Sequence, residues 1–346
     1  MDNRVKICRE LVKRILPWYE RCARSMPWRM KDPDPYWTLV SEVMLQQTRV
    51  ETVIPYFQRF IQELPSLADL AAADEEILLK LWEGLGYYSR VRNLQKTARA
   101  AVERFGGKLP DTVAELRNLP GIGEYTAGAI GSIAFHLPVP AVDGNVMRVC
   151  ARLLDCDKDI MDPAFRNEIT ELLRVVYPEN YCSEFTQSLM DLGATVCIPA
   201  HPRCSLCPLS EICLGLRSGR EAFLPVKKKK MLRKIEKKSV LLLNSAGGKI
   251  ALRKRPDKGV LAGMWELPWL EGEMPEDLIR KELNAMNVDV LALEYSKKGK
   301  HIFTHLEWEM VFWSVRCRNE VPVWTWVTQD ELLHNCSLPS AFRKFL

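Results

Sequence analysis

No stretch of eighteen apolar residues occurs in this sequence, and no signal-peptide pattern opens it. A membrane-spanning helix and an export route are therefore not expected, and the expected location is the cytoplasm. Nor is there an even set of cysteines. There are eleven, and in a long chain without export signals they are expected as reduced thiols or metal ligands rather than as a disulfide framework. A strong overall charge is also lacking. The net charge is +5, yet ten Lys and Arg against two Glu between Arg217 and Lys238 place +8 there and leave 5 − 8 = −3 for the remainder. The basic excess is thus local, and the run Lys227 to Lys230 reads as a solvated linker with a supporting electrostatic role toward phosphate at most. What remains is ordinary globular material, 47% apolar and 27% charged, over 346 residues. That is enough for two domains with cores of their own.

The densest signal lies between Leu119 and Arg148, LPGIGEYTAGAIGSIAFHLPVPAVDGNVMR. Gly121 and Gly123, following Pro120, permit a tight hairpin where residues with side chains would clash, and a helix is expected to start near Glu124. Its first N–H groups and those of the glycines have no helical partner, which makes an anion site suited to a nucleic-acid phosphate. Beyond the break at Pro138 and Pro140, Asp143 stands between apolar residues at the expected start of another helix. It is either an N-cap or a catalytic carboxylate.

The flanking sequence adds further chemistry. Residues 5–25 read as an amphipathic helix that Pro27-Trp28-Arg29 ends. A helical segment from Trp37 carries Glu42 among Val40, Val43, Met44 and Leu45. This carboxyl is either at the edge of the apolar face or desolvated, in which case it tends to keep its proton. Gln46 and Gln47 close the segment. The loop Gly84-Leu85-Gly86-Tyr87-Tyr88-Ser89-Arg90-Val91-Arg92 combines close backbone approach, stacking faces and guanidinium groups for phosphate. Helical periodicity then runs from Pro163 to Ala194. It is followed by Cys197-x6-Cys204-x2-Cys207-x5-Cys213, four thiols that can converge on one metal centre. Spacing alone admits zinc or a [4Fe–4S] cluster. Past the basic stretch, strands are expected at 239–243 and 249–253, a helix near 275–286, and strands at 302–315 and 322–327, an α+β module.

The order LPGIGEYTA, AVDGNVMRV, the cysteine tetrad and then Leu261-Ala262-Gly263-Met264-Trp265-Glu266-Leu267-Pro268 resembles the MutY-type adenine DNA glycosylases over nearly the whole chain. The resemblance implies an α+β multidomain fold. An all-α helix-hairpin-helix glycosylase domain would span 1–214 with an iron–sulfur loop at 197–213, a basic linker 215–238, and a Nudix-like domain 239–346. It implies a monomer that removes adenine mispaired with 8-oxoguanine or guanine from duplex DNA, at the nucleoid. In the family's roles Glu42 is the general acid, Asp143 stabilises the sugar cation, and Tyr125 and Asn145 orient the two. Trp28, Arg29 and Gln187 form the adenine pocket. Gln47 wedges into the base stack, Thr48 lies near the lesion, and Leu85 and Tyr87 surround the lesion pair. Gly121 and Gly123 hold phosphate. Phe303, Thr304 and His305 approach 8-oxoguanine, with Thr304 where the family has serine. Cys197, Cys204, Cys207 and Cys213 ligate a structural [4Fe–4S] cluster, with Arg203 in its loop facing phosphate.

Two departures exclude neighbouring chemistries. The helix that carries paired glutamates in Nudix hydrolases reads Asp277-Leu278-Ile279-Arg280-Lys281-Glu282-Leu283-Asn284 here, so pyrophosphatase activity is not expected. An endonuclease III-like lyase needs a Schiff-base lysine, and its place is held by Tyr125. A non-catalytic iron–sulfur DNA-binding protein is the remaining alternative, and the joint presence of Glu42 and Asp143 weighs against it.

Overall fold

The computed structural model describes residues 3–228, 233–343 and 345–346; the Lys229-Lys230 end of the basic run lies outside the described residues. The chain forms two compact units, Met1–Ala73 with Arg90–Lys229, and Asp74–Ser89 with Lys230–Leu346. No helix among the described residues is long and apolar enough to cross a membrane.

The first unit is helical. On the helix Asn3–Cys22, Leu11, Ile15, Trp18 and Tyr19 recur at helical spacing and are buried. They share one core with Val146, Met147 and Ala151 of the helix Gly144–Leu153, Phe165 and Ile169 of Pro163–Val176, and Phe185, Leu189 and Leu192 of Cys182–Thr195. The periodic stretch expected as continuous from Pro163 to Ala194 is therefore two helices. Tyr177 is driven into extended backbone (φ −64°, ψ 129°) by the following Pro178. The hairpin forms as expected between the helices Val113–Arg117 and Glu124–Ile133. Gly121 requires its lack of a side chain twice over: φ is +82°, and a Cβ would sit 2.8 Å from that of Asn93. Gly123 has extended backbone, and a Cβ there would meet nothing within 4 Å.

The stretch expected to be linker from residue 215 begins as part of this unit. Leu214–Arg217 is a short helix, and a Cβ on Gly215 would lie 2.5 Å from the Arg152 carbonyl oxygen. Leu224 is buried, and Ile160 donates its N–H to the Val226 carbonyl at 3.0 Å. The physical reason is the apolar residues Leu216, Leu224 and Val226 interspersed with the charges, which the charge count alone overlooked.

The second unit is built on a mixed sheet of seven strands: β1 Lys234–Ser245, β2 Ile250–Lys254, β3 Trp265–Glu266, β4 Trp269–Glu271, β5 Val290–Ile302, β6 Leu306–Cys317 and β7 Thr325–Val327. The main order is β3-β2-β1-β6-β5, with β4 on β1 and β7 on β2, and β1 runs parallel to β6 over its whole length. Alternation along β1 sends Val240 to one core with Trp308, Met310 and Phe312. It sends Leu241 and Leu243 to another with Val311, Trp313 and Val315, covered by Ile279 and Leu283 of the helix Glu276–Ala285. The segment Asp74–Ser89 belongs to this unit although the sequence placed it among the glycosylase helices. Its buried Glu83 accepts from the Leu338 N–H at 2.9 Å and pairs with Arg343 at 2.8 Å and Lys80 at 3.0 Å.

Candidate active site

A cavity of about 1510 Å³ in the first unit is lined by Glu42, Tyr125, Asp143 and Asn145, by Trp28, Arg29 and Gln187, and by Gln47, Thr48, Gly121 and Gly123. Eleven residues from five sequence regions thus line one cavity of the helical unit.

Glu42 arrives on the helix Pro35–Leu45, which Pro35 and the capping Asp34 start. Every residue from Thr38 to Met44 is buried, so the desolvated reading of Glu42 holds. The Tyr125 hydroxyl donates to Glu42 Oε2 at 2.5 Å. Burial raises the Glu42 carboxyl, the Tyr125 bond pulls it back, Asp143 raises it and Arg29 lowers it, leaving it at about 7. Burial also pushes the Tyr125 phenol well above its ordinary value, reinforced by Glu42, so it stays a donor.

Asp143 is both an N-cap and a cavity carboxylate. Its Oδ1 accepts from the Val146 N–H at 2.7 Å at the start of the helix Gly144–Leu153, and its Oδ2 from Asn145 Nδ2 at 2.8 Å. Burial raises its carboxyl above the ordinary value, while these two donors draw it back toward the ionised form. Arg148 fixes the Asn145 amide by donating to its Oδ1 at 2.8 Å, which leaves the Nδ2 side for Asp143. The close packing this demands is met by Gly193, where a Cβ would fall 2.6 Å from that of Asn145.

The adenine-pocket candidates are held differently. Trp28 is buried edge-on to Phe57 at 5.1 Å, and Gln187 donates to Ser183 Oγ at 2.8 Å. Arg29 grips Asp191 with both terminal nitrogens, at 2.7 and 2.9 Å, and Arg24 binds the same carboxylate at 2.5 and 2.9 Å. Burial would raise Asp191, but the bonds from Arg29 and Arg24 outweigh it and hold the carboxyl below its ordinary range. Asp191, Arg24 and Arg148 were missed at the sequence level. A signal existed for the first: Asp191 is four residues beyond Gln187, hence on the same helix face.

Gln47 has φ of +60° in the turn after the Glu42 helix, an uncommon backbone state for a residue with a side chain. The turn is held by Arg90, which donates to the carbonyls of Val43 and Met44 at 2.9 Å each, to that of Gln46, and to Thr48 Oγ1 at 3.3 Å. The arginine offered to phosphate in the sequence is thus buried as a helix C-cap. The helix Glu124–Ile133 opens at Gly123 with no side chain capping it, which leaves the anion site to an external ligand.

The remaining candidates belong to the second unit. Leu85 is buried and Tyr87 is exposed. Phe303, Thr304 and His305 are not within a strand but form the loop joining β5 to β6, closed by the Phe303 N–H to the Leu306 carbonyl at 2.7 Å. The Phe303 ring rests edge-on against Trp308 at 4.9 Å, which leaves Thr304 and His305 exposed.

Cys197, Cys204, Cys207 and Cys213 line a single small cavity with Val149, Leu153, Leu192, Val196 and Leu209. Among the described residues no group of three or more His, Cys, Asp or Glu is arranged to hold a metal ion; the thiols stand around a shared apolar space. Burial pushes the Cys207 thiol up to about 12 and raises Cys204 and Cys213. Arg152 brings Nη1 to 3.4 Å from Cys197 Sγ, one cation beside four potential thiolates. Soft ligands, a dry wall and a compensating charge fit an iron–sulfur cluster. Arg203, between the ligands, points Nη1 at the Thr195 carbonyl at 3.4 Å and is exposed around this contact.

A hairpin feeding an uncapped helix, a buried and a half-buried carboxyl held in unlike surroundings and a cysteine-lined cavity together define a helix-hairpin-helix base-excision repair protein. Residues 40–175 match the model of the HhH-GPD superfamily base excision DNA repair proteins, and residues 239–346 match the NUDIX domain. Over 95% of this chain and 72% of theirs, the sequence is 34% identical to a Homo sapiens adenine DNA glycosylase. A Buchnera aphidicola adenine DNA glycosylase is 33% identical over 84% of this chain and 82% of its own. A non-covalent endonuclease III–DNA complex superposes with a TM-score of 0.54 at 25% identity, covering 63% of this chain and 99% of that one. The chain belongs to the MutY-type adenine DNA glycosylases, the DNA N-glycosylases of base excision repair.

Proposed function

We propose that this monomeric enzyme hydrolyses the N-glycosidic bond of adenine mispaired with 8-oxoguanine or guanine in duplex DNA. The observation that carries the reading is the pair of unlike carboxyls in one cavity. Glu42, dry and bonded to one phenol, holds a proton near neutrality. Asp143, raised by burial, sits on a helix N-terminus with two N–H donors that oppose that rise and serve its ionised form. Adenine leaves poorly as an anion, so Glu42 protonates the ring while Asp143 stabilises the positive charge growing on the sugar, and water completes the hydrolysis. Neither group can reach a stacked base. The adenine must therefore be flipped into the cavity against Trp28, Arg29 and Gln187, with Gln47 and Tyr87 filling or prying the gap and Thr48 and Leu85 near the lesion. Phosphate sits at Gly121 and Gly123. Phe303, Thr304 and His305 read the opposing base.

The four cysteines would hold a [4Fe–4S] cluster. When bound it supplies a structural cross-link and no step of the reaction; the apolar wall and the neighbouring Arg152 support that reading. The test is single-turnover base release from duplexes with adenine opposite 8-oxoguanine, guanine and thymine. Release from the first two and not the third is expected; equal release from all three, or none, rejects the assignment.

A further inference from the structure

Arg29 lines the same cavity as Glu42 and acts on two acids. It grips Asp191 through both terminal nitrogens, and its field also reaches Glu42. The Asp191 side chain is 1% exposed and that of Arg29 14%, so neither is solvated in place of the other. Arg24 shares the same carboxylate, giving two cations to one anion beside the cavity. A guanidinium is charged at any working pH, and a buried cation that loses its partner seeks the next carboxylate.

We propose that Asp191 is a positioning residue of the glycosylase site: by clamping Arg29 it keeps that cation from forming an ion pair with Glu42. The inference rests on Glu42 being the general acid. An Arg29–Glu42 pair would stabilise the ionised carboxyl, and an ionised Glu42 cannot deliver a proton to adenine. The groups facing Glu42 are Tyr125, Asp143 and Arg29; those facing Asp191 are Arg24 and Arg29, with Tyr19 and Glu184 in the same electrostatic neighbourhood, and Arg148 faces Asp143. Of these, Arg29 is the cation that acts on both acids.

The experiment is the pH dependence of single-turnover adenine release by the full chain and by Asp191→Asn and Asp191→Glu, with duplex affinity measured alongside. The wild-type rate should fall as pH rises through about 7, where Glu42 loses its proton. In Asp191→Asn this falling limb should move about one pH unit lower, so that release is about eightfold slower at pH 7.5 yet near wild type at pH 5. Asp191→Glu, which keeps the anion, should retain the wild-type limb. A rate lowered equally at every pH by Asp191→Asn, or a limb moved equally by Asp191→Glu, overturns the proposal. If Asp191→Asn does not fold, Asp191→Asn with Arg29→Gln removes the opposite charges together. Its limb should stand at or above that of the wild type, and one below it overturns the proposal. A wild-type rate with no falling limb would instead defeat the general-acid reading itself.

Discussion

At the scale of single residues, the site depends on two carboxyls that sequence pattern places in quite different contexts. Glu42→Gln keeps size and the contact to Tyr125 but removes the transferable proton. Single-turnover base release should fall at least on the order of a hundredfold with duplex affinity retained. Asp143→Asn should lose a similar factor through charge stabilisation; its amide oxygen can keep the helix cap, but its Nδ2 would then face the Asn145 Nδ2, so the melting temperature should also fall by a few degrees. Glu42 also has a stability consequence. Between about 4.5 and about 7 the folded chain holds a proton there that the unfolded chain has released, so raising pH through that window favours unfolding. Relative to Glu42→Gln, the wild type should therefore lose stability on the order of 3 kcal/mol between pH 4.5 and pH 7, measured by denaturant titration at each pH. Glu42 and Asp143 were legible because their flanking residues match a family motif. The role of Asp191 was not, since its place four residues beyond Gln187 marks the helix face but not the two arginines that grip it.

Among the elements, the hairpin separates folding from ligand binding within three residues. Gly121→Ala must accept φ of +82° and contact with Asn93, and should cost about 1–2 kcal/mol or more of stability. Gly123→Ala meets no atom in the protein; it should leave the melting temperature nearly unchanged and weaken duplex binding, as a gel-shift titration would read. The cysteine loop is the other element with its own test. Iron and sulfide should be found in roughly a four-to-four ratio with a visible absorbance shoulder, and Cys204→Ala should lower soluble yield. Colourless, active, zinc-loaded protein would contradict the cluster. Helices with buried stripes were readable from period, as were β1 and β2. Strand β5 was not: along Val290–Ile302 only Leu293 is buried, so an edge strand rich in lysine shows no alternation to detect. Arg90 was misread for a related reason. A cation in a glycine-rich loop looks like a phosphate contact, and only the three carbonyls at the end of the Glu42 helix reveal its use as a cap.

For the molecule as a whole, the proposed function gives reading of the opposing base to the second unit. Thr304 and His305 are exposed on a loop that Phe303 anchors, so Thr304→Val with His305→Ala should leave the fold intact. The preference for 8-oxoguanine over guanine should drop by about 1–3 kcal/mol, one good base-edge contact, with release opposite guanine largely kept. Unchanged discrimination in parallel single-turnover assays would remove the second unit from lesion reading. The domain order was legible in the sequence but the membership of 74–89 was not, because nothing local marks Glu83 as the partner of residues so distant. That distance also sets a timetable. Glu83 leaves the ribosome 255 residues ahead of Leu338 and 260 ahead of Arg343, a wait of roughly ten to fifty seconds at ordinary rates of synthesis. Every residue lining the reactive cavity has been made by Lys227. A nascent chain therefore carries both carboxyls well before Glu83 acquires the tail residues that pair with it, and a chain terminated a few residues early would hold the whole cavity lining without the Arg343 that binds Glu83.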